Sequence, residues 1–357
     1  MTKQISARSA APVLITGGAG FIGTNLAARL LSEGRTVRLL DSLARPGAER
    51  NLAWLRARYG AELQTVAADI RDAQAVRRAV TGVGMVFHFA AQVAVTTSVA
   101  APLDDFTVNA AGTVNLLEAL RQHGDGAGLL FTSTNKVYGA LDDIPLRSDA
   151  SRYSPAGELA QTGIGEERPL CFHSPYGCSK GAADQYVLDY ARSYGLSTAV
   201  FRMSCIYGPH QNGTEDQGWV AHFLIRASEN RPISIYGDGR QVRDLLYVDD
   251  LVAAMLCAEA HLPAIVGEAF NIGGGPANTT SLNELLDYIG QLRETAPQVM
   301  HGDWRIGDQR WYVSDHRKFA RATGWQPRTA VKDGVRKLHE WLGARQGASG
   351  QWREAAE

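Results

Sequence analysis

The 357-residue chain carries 36 Lys+Arg against 37 Asp+Glu, a formal charge of −1, with 45% hydrophobic and 20% charged residues. That composition belongs to an ordinary globular protein, long enough for one large or two modest cores. The charge balance excludes a global field for nucleic acid or an anionic membrane, so an anionic ligand must be held by local groups.

Residues 13–16 form a short apolar run that ends at a glycine-rich turn containing Gly17, Gly20 and Gly23. Leu26, Leu30 and Leu31 then recur at helical spacing up to Gly34. A diphosphate needs that context: no Cβ where the backbone must approach, and a helix N-terminus aimed at the charge. Residues 36–41 read as a second strand ending in Asp41. It stands about 20 residues beyond the turn, where an acid meets the adenosine ribose hydroxyls and repels a 2′-phosphate. That position favours NAD over NADP, although Arg38 and Arg45 nearby leave the choice open at this point.

Residues 63–68 lead to Asp69 and Ile70, placed to meet the adenine edge. Residues 73–80 read as a short helix, and 85–89 as a strand running out into Ala90, Ala91 and Gln92. Helical periodicity spans 103–122 through Val108, Leu116, Leu117 and Leu120, and 129–133 is a fifth strand. Strands alternating with helices predict an α/β fold with a parallel, doubly wound sheet and ligands at the strands' carboxyl ends. Thr134 follows the fifth strand, where its hydroxyl can bond a substrate oxygen. Residues 140–172 are Pro/Gly/Ser-rich without periodicity and read as a functional loop or lid.

Ser174 reads as an N-cap and Pro175 as the first helical residue. Tyr176 and Lys180 then lie one turn apart on one helix face. A nearby ammonium favours the phenolate, which makes Tyr176 a candidate base for a sugar or alcohol hydroxyl. The spacing alone is short and common; its neighbours give it weight. Residues 198–202 are a sixth strand, 237–244 a polar hairpin-like run, and Val335, Leu338, Trp341 and Leu342 mark an amphipathic helix before a polar tail from Gly343.

The four cysteines, Cys171, Cys178, Cys205 and Cys257, form no C-x-x-C pair, and neither a disulfide framework nor a metal site is expected. Residues 1–12 are polar and Ala-rich, reading as a loose tail, and no apolar run reaches the roughly 18 residues of a membrane span. A cytoplasmic protein is expected.

The ordered set of the glycine turn with Thr16, Asp41, Asp69-Ile70, Thr134, and Tyr176 with Lys180 resembles the extended short-chain dehydrogenase/reductase family over nearly the whole chain. The resemblance implies a Rossmann domain holding NAD at Gly17, Gly20, Phe21, Ile22, Gly23, Asp41, Asp69, Ile70, Phe89, Ala90, Ala91 and Asn109, together with Tyr176 and Lys180. It implies a catalytic Thr134–Tyr176–Lys180 triad, with Lys180 also bonding the nicotinamide ribose. A smaller C-terminal domain would grip a nucleotide-diphospho-sugar; the substrate contacts implied across the chain are Gln92, Thr97, Asn135, Cys205, Gln217, Arg243 and Arg305, the two arginines gripping the pyrophosphate.

The expected division is 1–202 with 240–262 for NAD, 203–239 with 263–345 for substrate, and a tail at 346–357. Sugar dehydratases of the family carry an Asp-Glu pair directly after the triad threonine; Asn135 and Lys136 stand there instead, which argues against dehydration. Residues 133–139, 172–186 and 216–220 resemble the branch that epimerises C2 of CDP-hexoses. UDP-glucose-type 4-epimerisation is the alternative, ahead of a dehydratase, a dehydrogenase or an NAD-dependent binding protein. A homodimer is implied as well.

Overall fold

Residues 11–348, apart from Ile306, are described by a computed structural model; the expected tail residues 1–10 and 349–357 lie outside that range. Strands β1 (Val13–Thr16), β2 (Val37–Asp41), β3 (Leu63–Ala67), β4 (Met85–His88), β5 (Gly128–Thr134), β6 (Thr198–Met203) and β7 (Ala269–Ile272) form a seven-stranded sheet in the order 3-2-1-4-5-6-7. Every pairing in it is parallel. A parallel sheet needs cover on both faces, and alternate residues along each strand provide for it. Val13, Ile15, Phe87, Leu130 and Phe201 turn to one face; Leu14, Val86, Leu129, Phe131 and Val200 turn to the other.

Helices α1 (Phe21–Ser32), α2 (Ala48–Tyr59), α3 (Ala73–Val80), α4 (Gly112–His123), α5 (Ser174–Tyr194) and α6 (Val248–Ile265) supply the cover. Leu26 and Leu30 of α1, Leu52 and Leu55 of α2 and Leu251 and Met255 of α6 join the first face. Val76 of α3, Leu116 and Leu117 of α4 and Val187 of α5 join the second. The strand order reverses between β1 and β4, which places a ligand crevice at their carboxyl ends.

A smaller unit follows β6. Its central strand, Val242–Tyr247, pairs antiparallel with Thr279–Ser281 and parallel with Trp311–Tyr312 and Cys205–Tyr207. Helices Trp219–Ser228, Leu282–Arg293 and Val331–Ala348 close a core of Phe223, Leu224, Leu285, Ile289, Val335 and Leu338. Leu282–Arg293 opens on a capping box: the Glu284 N–H donates to the Ser281 hydroxyl at 3.1 Å, and the Ser281 N–H to the Glu284 carboxylate at 2.8 Å.

Several expectations shift. Residues 237–244 form no hairpin. Strand Ile233–Tyr236 pairs with Val299–Gly302 instead, because Gly237 and Gly239, at φ +89° and +76°, turn the chain from one small sheet into the next. Residues 140–172 hold a hairpin of Leu146–Ser148 with Tyr153–Pro155, strands too short to show alternation. The 103–122 periodicity is broken by a π turn, Thr107–Ala111, between Pro102–Phe106 and α4. The last helix runs past Gly343 to Ala348. Two elements cross the expected domain boundaries: Val242–Tyr247 lies in the second sheet and β7 in the central one.

Candidate active site

The turn from β1 to α1 has no room for side chains. Gly17 has φ +66°, and a Cβ there would stand 2.7 Å from the Ala90 nitrogen. A Cβ on Gly23 would stand 2.4 Å from the Gly17 carbonyl oxygen. The α1 N-terminus, beginning at Phe21 and Ile22, carries no side-chain cap and no acid in its first turn. Its free N–H groups suit an anion such as a dinucleotide pyrophosphate. Asp41 ends β2 half-buried and braces the turn, its carboxylate accepting from the Ala19 N–H at 2.9 Å and the Leu43 N–H at 2.8 Å. The Phe89 N–H bonds the Thr16 carbonyl oxygen at 3.0 Å, and the Ala90 N–H bonds the Thr16 hydroxyl at 3.2 Å. This brings the Phe89–Ala90–Ala91 segment against the glycines. The Arg71 guanidinium bonds Asp69 and holds its carboxyl below the usual range, while Ile70 is buried beside it. These residues fit an NAD site.

Asn109 is placed differently from the expectation. It sits in the π turn, and its carboxamide is spent on the Gln92 backbone, Asp105 and Ser179 at 2.9–3.1 Å. It fixes the loop after β4.

Ser174 takes a left-handed φ of +64°, and its hydroxyl accepts from the Gly177 N–H at 3.3 Å, so it caps α5 from within. α5 then delivers Tyr176 and Lys180, both buried, beside Thr134 at the end of β5. The Lys180 ammonium donates to the Thr132 carbonyl oxygen at 2.6 Å and lies 4.1 Å from the Phe131 ring centre. Burial pushes the Tyr176 phenol up to about 12, opposed by the neighbouring Thr134 hydroxyl. Burial likewise brings Lys180 down to about 7, opposed by Asp184 and Asp105. Burial, and not the expected lowering by its lysine, therefore dominates the phenol. Sequence spacing shows that the two side chains are close; it does not show how deeply both are buried.

Thr134 and Tyr176 open into a cavity of about 490 Å³ shared with Asn135, Cys205, Gln217, Arg243 and Arg305. Gln92 and Thr97 do not line it. The Gln92 side chain folds back on the Ala94 backbone, and Thr96 takes the place expected of Thr97. Arg243 bonds Asp308 at 2.6 Å; Arg305 bonds the Glu215 carbonyl oxygen at 2.9 Å and Asp216 at 3.2 Å, and stacks 3.8 Å from the Tyr236 ring centre. Sequence reasoning missed Asp308, Tyr236 and Trp219 as lining residues, because a loop, a strand end and a helix start remote from one another along the chain meet only in the fold.

Lys136 was also missed. It donates to the Gly307 carbonyl oxygen at 3.2 Å, and burial brings its ammonium down to about 8 against the pull of Asp308. Three cationic side chains thus line one cavity, each paired with a carboxylate of the same wall, Asp308, Glu215 or Asp216. Burial pushes the Cys205 thiol up, so it is a neutral wall beside the Trp219 indole. Among the described residues no group of His, Cys, Asp or Glu is arranged to hold a metal ion.

Residues 13–273 match the NAD dependent epimerase/dehydratase family, and the chain belongs to it. Its members use NAD, and the chain is an enzyme of that class. Among its relatives is the CDP-paratose 2-epimerase of Salmonella typhi, 44% identical over 92% of this chain and 98% of the relative. The UDP-glucose 4-epimerase of Mycolicibacterium smegmatis is 34% identical over 92% of this chain and 97% of its own length. A solved structure of the Thermus thermophilus UDP-glucose 4-epimerase in complex with NAD is 32% identical. It superposes with a TM-score of 0.77 over 95% of this chain and all of that one.

Proposed function

We propose that this nucleotide-sugar epimerase inverts C2 of a CDP-hexose by way of a transient ketone. The observation that carries the reading is one cavity that joins Thr134 and Tyr176 to Arg243, Arg305 and Lys136. The first pair suits a hydroxyl-bearing carbon, and the cations suit a diphosphate. The relative acting on CDP-paratose, similar over nearly all of both chains, supports the choice of carbon and nucleotide.

Tyr176 Oη takes the proton of the C2 hydroxyl, and the Thr134 hydroxyl donates to the same oxygen. NAD, when bound, supplies a hydride acceptor and donor and a positively charged ring that favours the phenolate. Thr134 and the reprotonated Tyr176 then hold the ketone oxygen as donors. After the sugar turns over in the cavity, Tyr176 returns its proton. Directly after Thr134 stand Asn135 and Lys136, neither of which is a carboxylate, so the acid–base pair for eliminating water is replaced. The Mycolicibacterium relative supports UDP-glucose-type 4-epimerisation as the second reading.

A cytoplasmic homodimer completes the proposal. Leu103 and Phe106, 73% and 52% exposed, with Tyr186 and Tyr194 on the neighbouring α5, offer an apolar face for a second copy. Among the described residues no helix is long and apolar enough to cross a membrane.

Purified protein given a CDP-hexose and no added cofactor is expected to yield the C2-inverted sugar by NMR, with NAD copurifying. Product that forms only with added NAD, accompanied by accumulating reduced cofactor, contradicts the epimerase reading.

A further inference from the structure

Behind Tyr176 and Lys180 lies a carboxylate that the mechanism leaves idle. Asp105 belongs to the short helix Pro102–Phe106 and is 0% exposed. A buried carboxylate is costly unless hydrogen-bonded, and its bonds are to neutral groups. One oxygen accepts from the Ser179 hydroxyl at 2.5 Å and the other from the Asn109 amide at 3.1 Å. The π turn starting at Thr107 sets Asp105 and Asn109 side by side, and such turns concentrate at functional sites. Ser179 lies between Tyr176 and Lys180 on α5, with its hydroxyl 3.2 Å from the Tyr176 carbonyl oxygen. The contact thus reaches the one turn of helix that carries both reactive side chains.

Other charges around the pair are already engaged. Asp184 faces Lys180, yet both its oxygens are bonded by the Arg202 guanidinium. Asp104, beside Asp105, is bonded by Arg71. His88 faces Lys180 and is held neutral, brought down to about 3 by burial. Arg45 faces Tyr176 from the loop after β2. Asp105 acts on both Tyr176 and Lys180. Burial raises its own carboxyl above the usual range, with the Ser179 bond and the Lys180 ammonium opposing.

We propose that Asp105 is a positioning residue for the Tyr176–Lys180 pair, fixing their turn of α5 through Ser179 and setting the pair's protonation balance with its buried negative charge. This inference rests on the reading of Tyr176 as the base. The carboxylate keeps Lys180 an ammonium in a site whose burial disfavours any charge, at the cost of disfavouring the neighbouring phenolate.

The test is the pH dependence of kcat for holoenzyme carrying Asp105→Asn. Removing a negative charge makes the phenolate easier to form and the ammonium easier to lose. Both limbs of the profile therefore move to lower pH, by about half a unit or more. Ser179→Ala leaves the charge but removes the bond that favours it, and its limbs shift in the same direction by less. It serves as the second variant should Asp105→Asn fold poorly. Limbs that stay in place in a folded variant, with only the height of the profile changed, overturn the proposal. That outcome is separate from failure of the underlying reading, which shows as normal turnover in Tyr176→Phe.

Discussion

Tyr176→Phe is expected to lose turnover by about 10²–10⁴-fold, the usual contribution of a positioned acid–base group, while retaining bound NAD. The substitution deletes one oxygen from a ring that stays buried in the same place, so the fold and the glycine turn are left intact. What disappears is the atom that takes the substrate proton. Thr134 stands next to it and cannot substitute, because its hydroxyl is a far weaker acid than a phenol. The check is a paired measurement of kcat and of cofactor content in the purified variant. Normal turnover would remove Tyr176 from the mechanism; lost turnover together with lost NAD would move its role to cofactor binding.

The second large effect falls on stability. Arg202 at the end of β6 forks onto Asp184 of α5 at 2.9 and 3.0 Å, with the two side chains 6% and 0% exposed. Its third contact, 3.2 Å to the Tyr138 hydroxyl, continues to Asn271 of β7 at 2.8 Å. One network thus ties the triad helix to the far edge of the central sheet. Arg202→Met strands the Asp184 carboxylate in the interior, a change expected to cost about 3–5 kcal/mol, read as a lower urea midpoint. Replacing both partners, Arg202→Met with Asp184→Leu, is expected to recover much of the loss, since neither member of the pair is then left buried without the other. A single-variant loss under about 1 kcal/mol, the range of exposed ion pairs, would show the pair to be solvated.

Much of the nucleotide-binding half was legible because its physics is local. Gly17 and Gly23 had to be glycine where a Cβ would meet backbone, and the apolar runs of β1, β4 and β5 could only be strands covered on both faces. β7 and the short strands around Val242–Tyr247 were not legible, since their sheet partners lie far along the chain. The site divided in the same way. Tyr176, Lys180 and Thr134 were found by motif and order, and the structure brings them together. Gln92 and Thr97 were placed in the cavity, yet one folds onto its own loop and the other is displaced by its neighbour. Lys136 was read only as the replacement of a carboxylate, and Asp308 and Asp105 went unread, because their importance lies in partners remote along the chain. Depth also raises the Tyr176 phenol where the spacing alone implied that Lys180 lowers it.

The central claim is hydride removal from C2, and isotopic labelling tests it most directly. CDP-hexoses deuterated at C2 or at C4 are offered separately, and initial rates and label retention are measured. The account predicts a primary isotope effect from the C2 label alone, with deuterium kept at C2 of the inverted product. An effect from the C4 label alone would contradict 2-epimerisation, and deuterium entering product from solvent would contradict hydride transfer altogether.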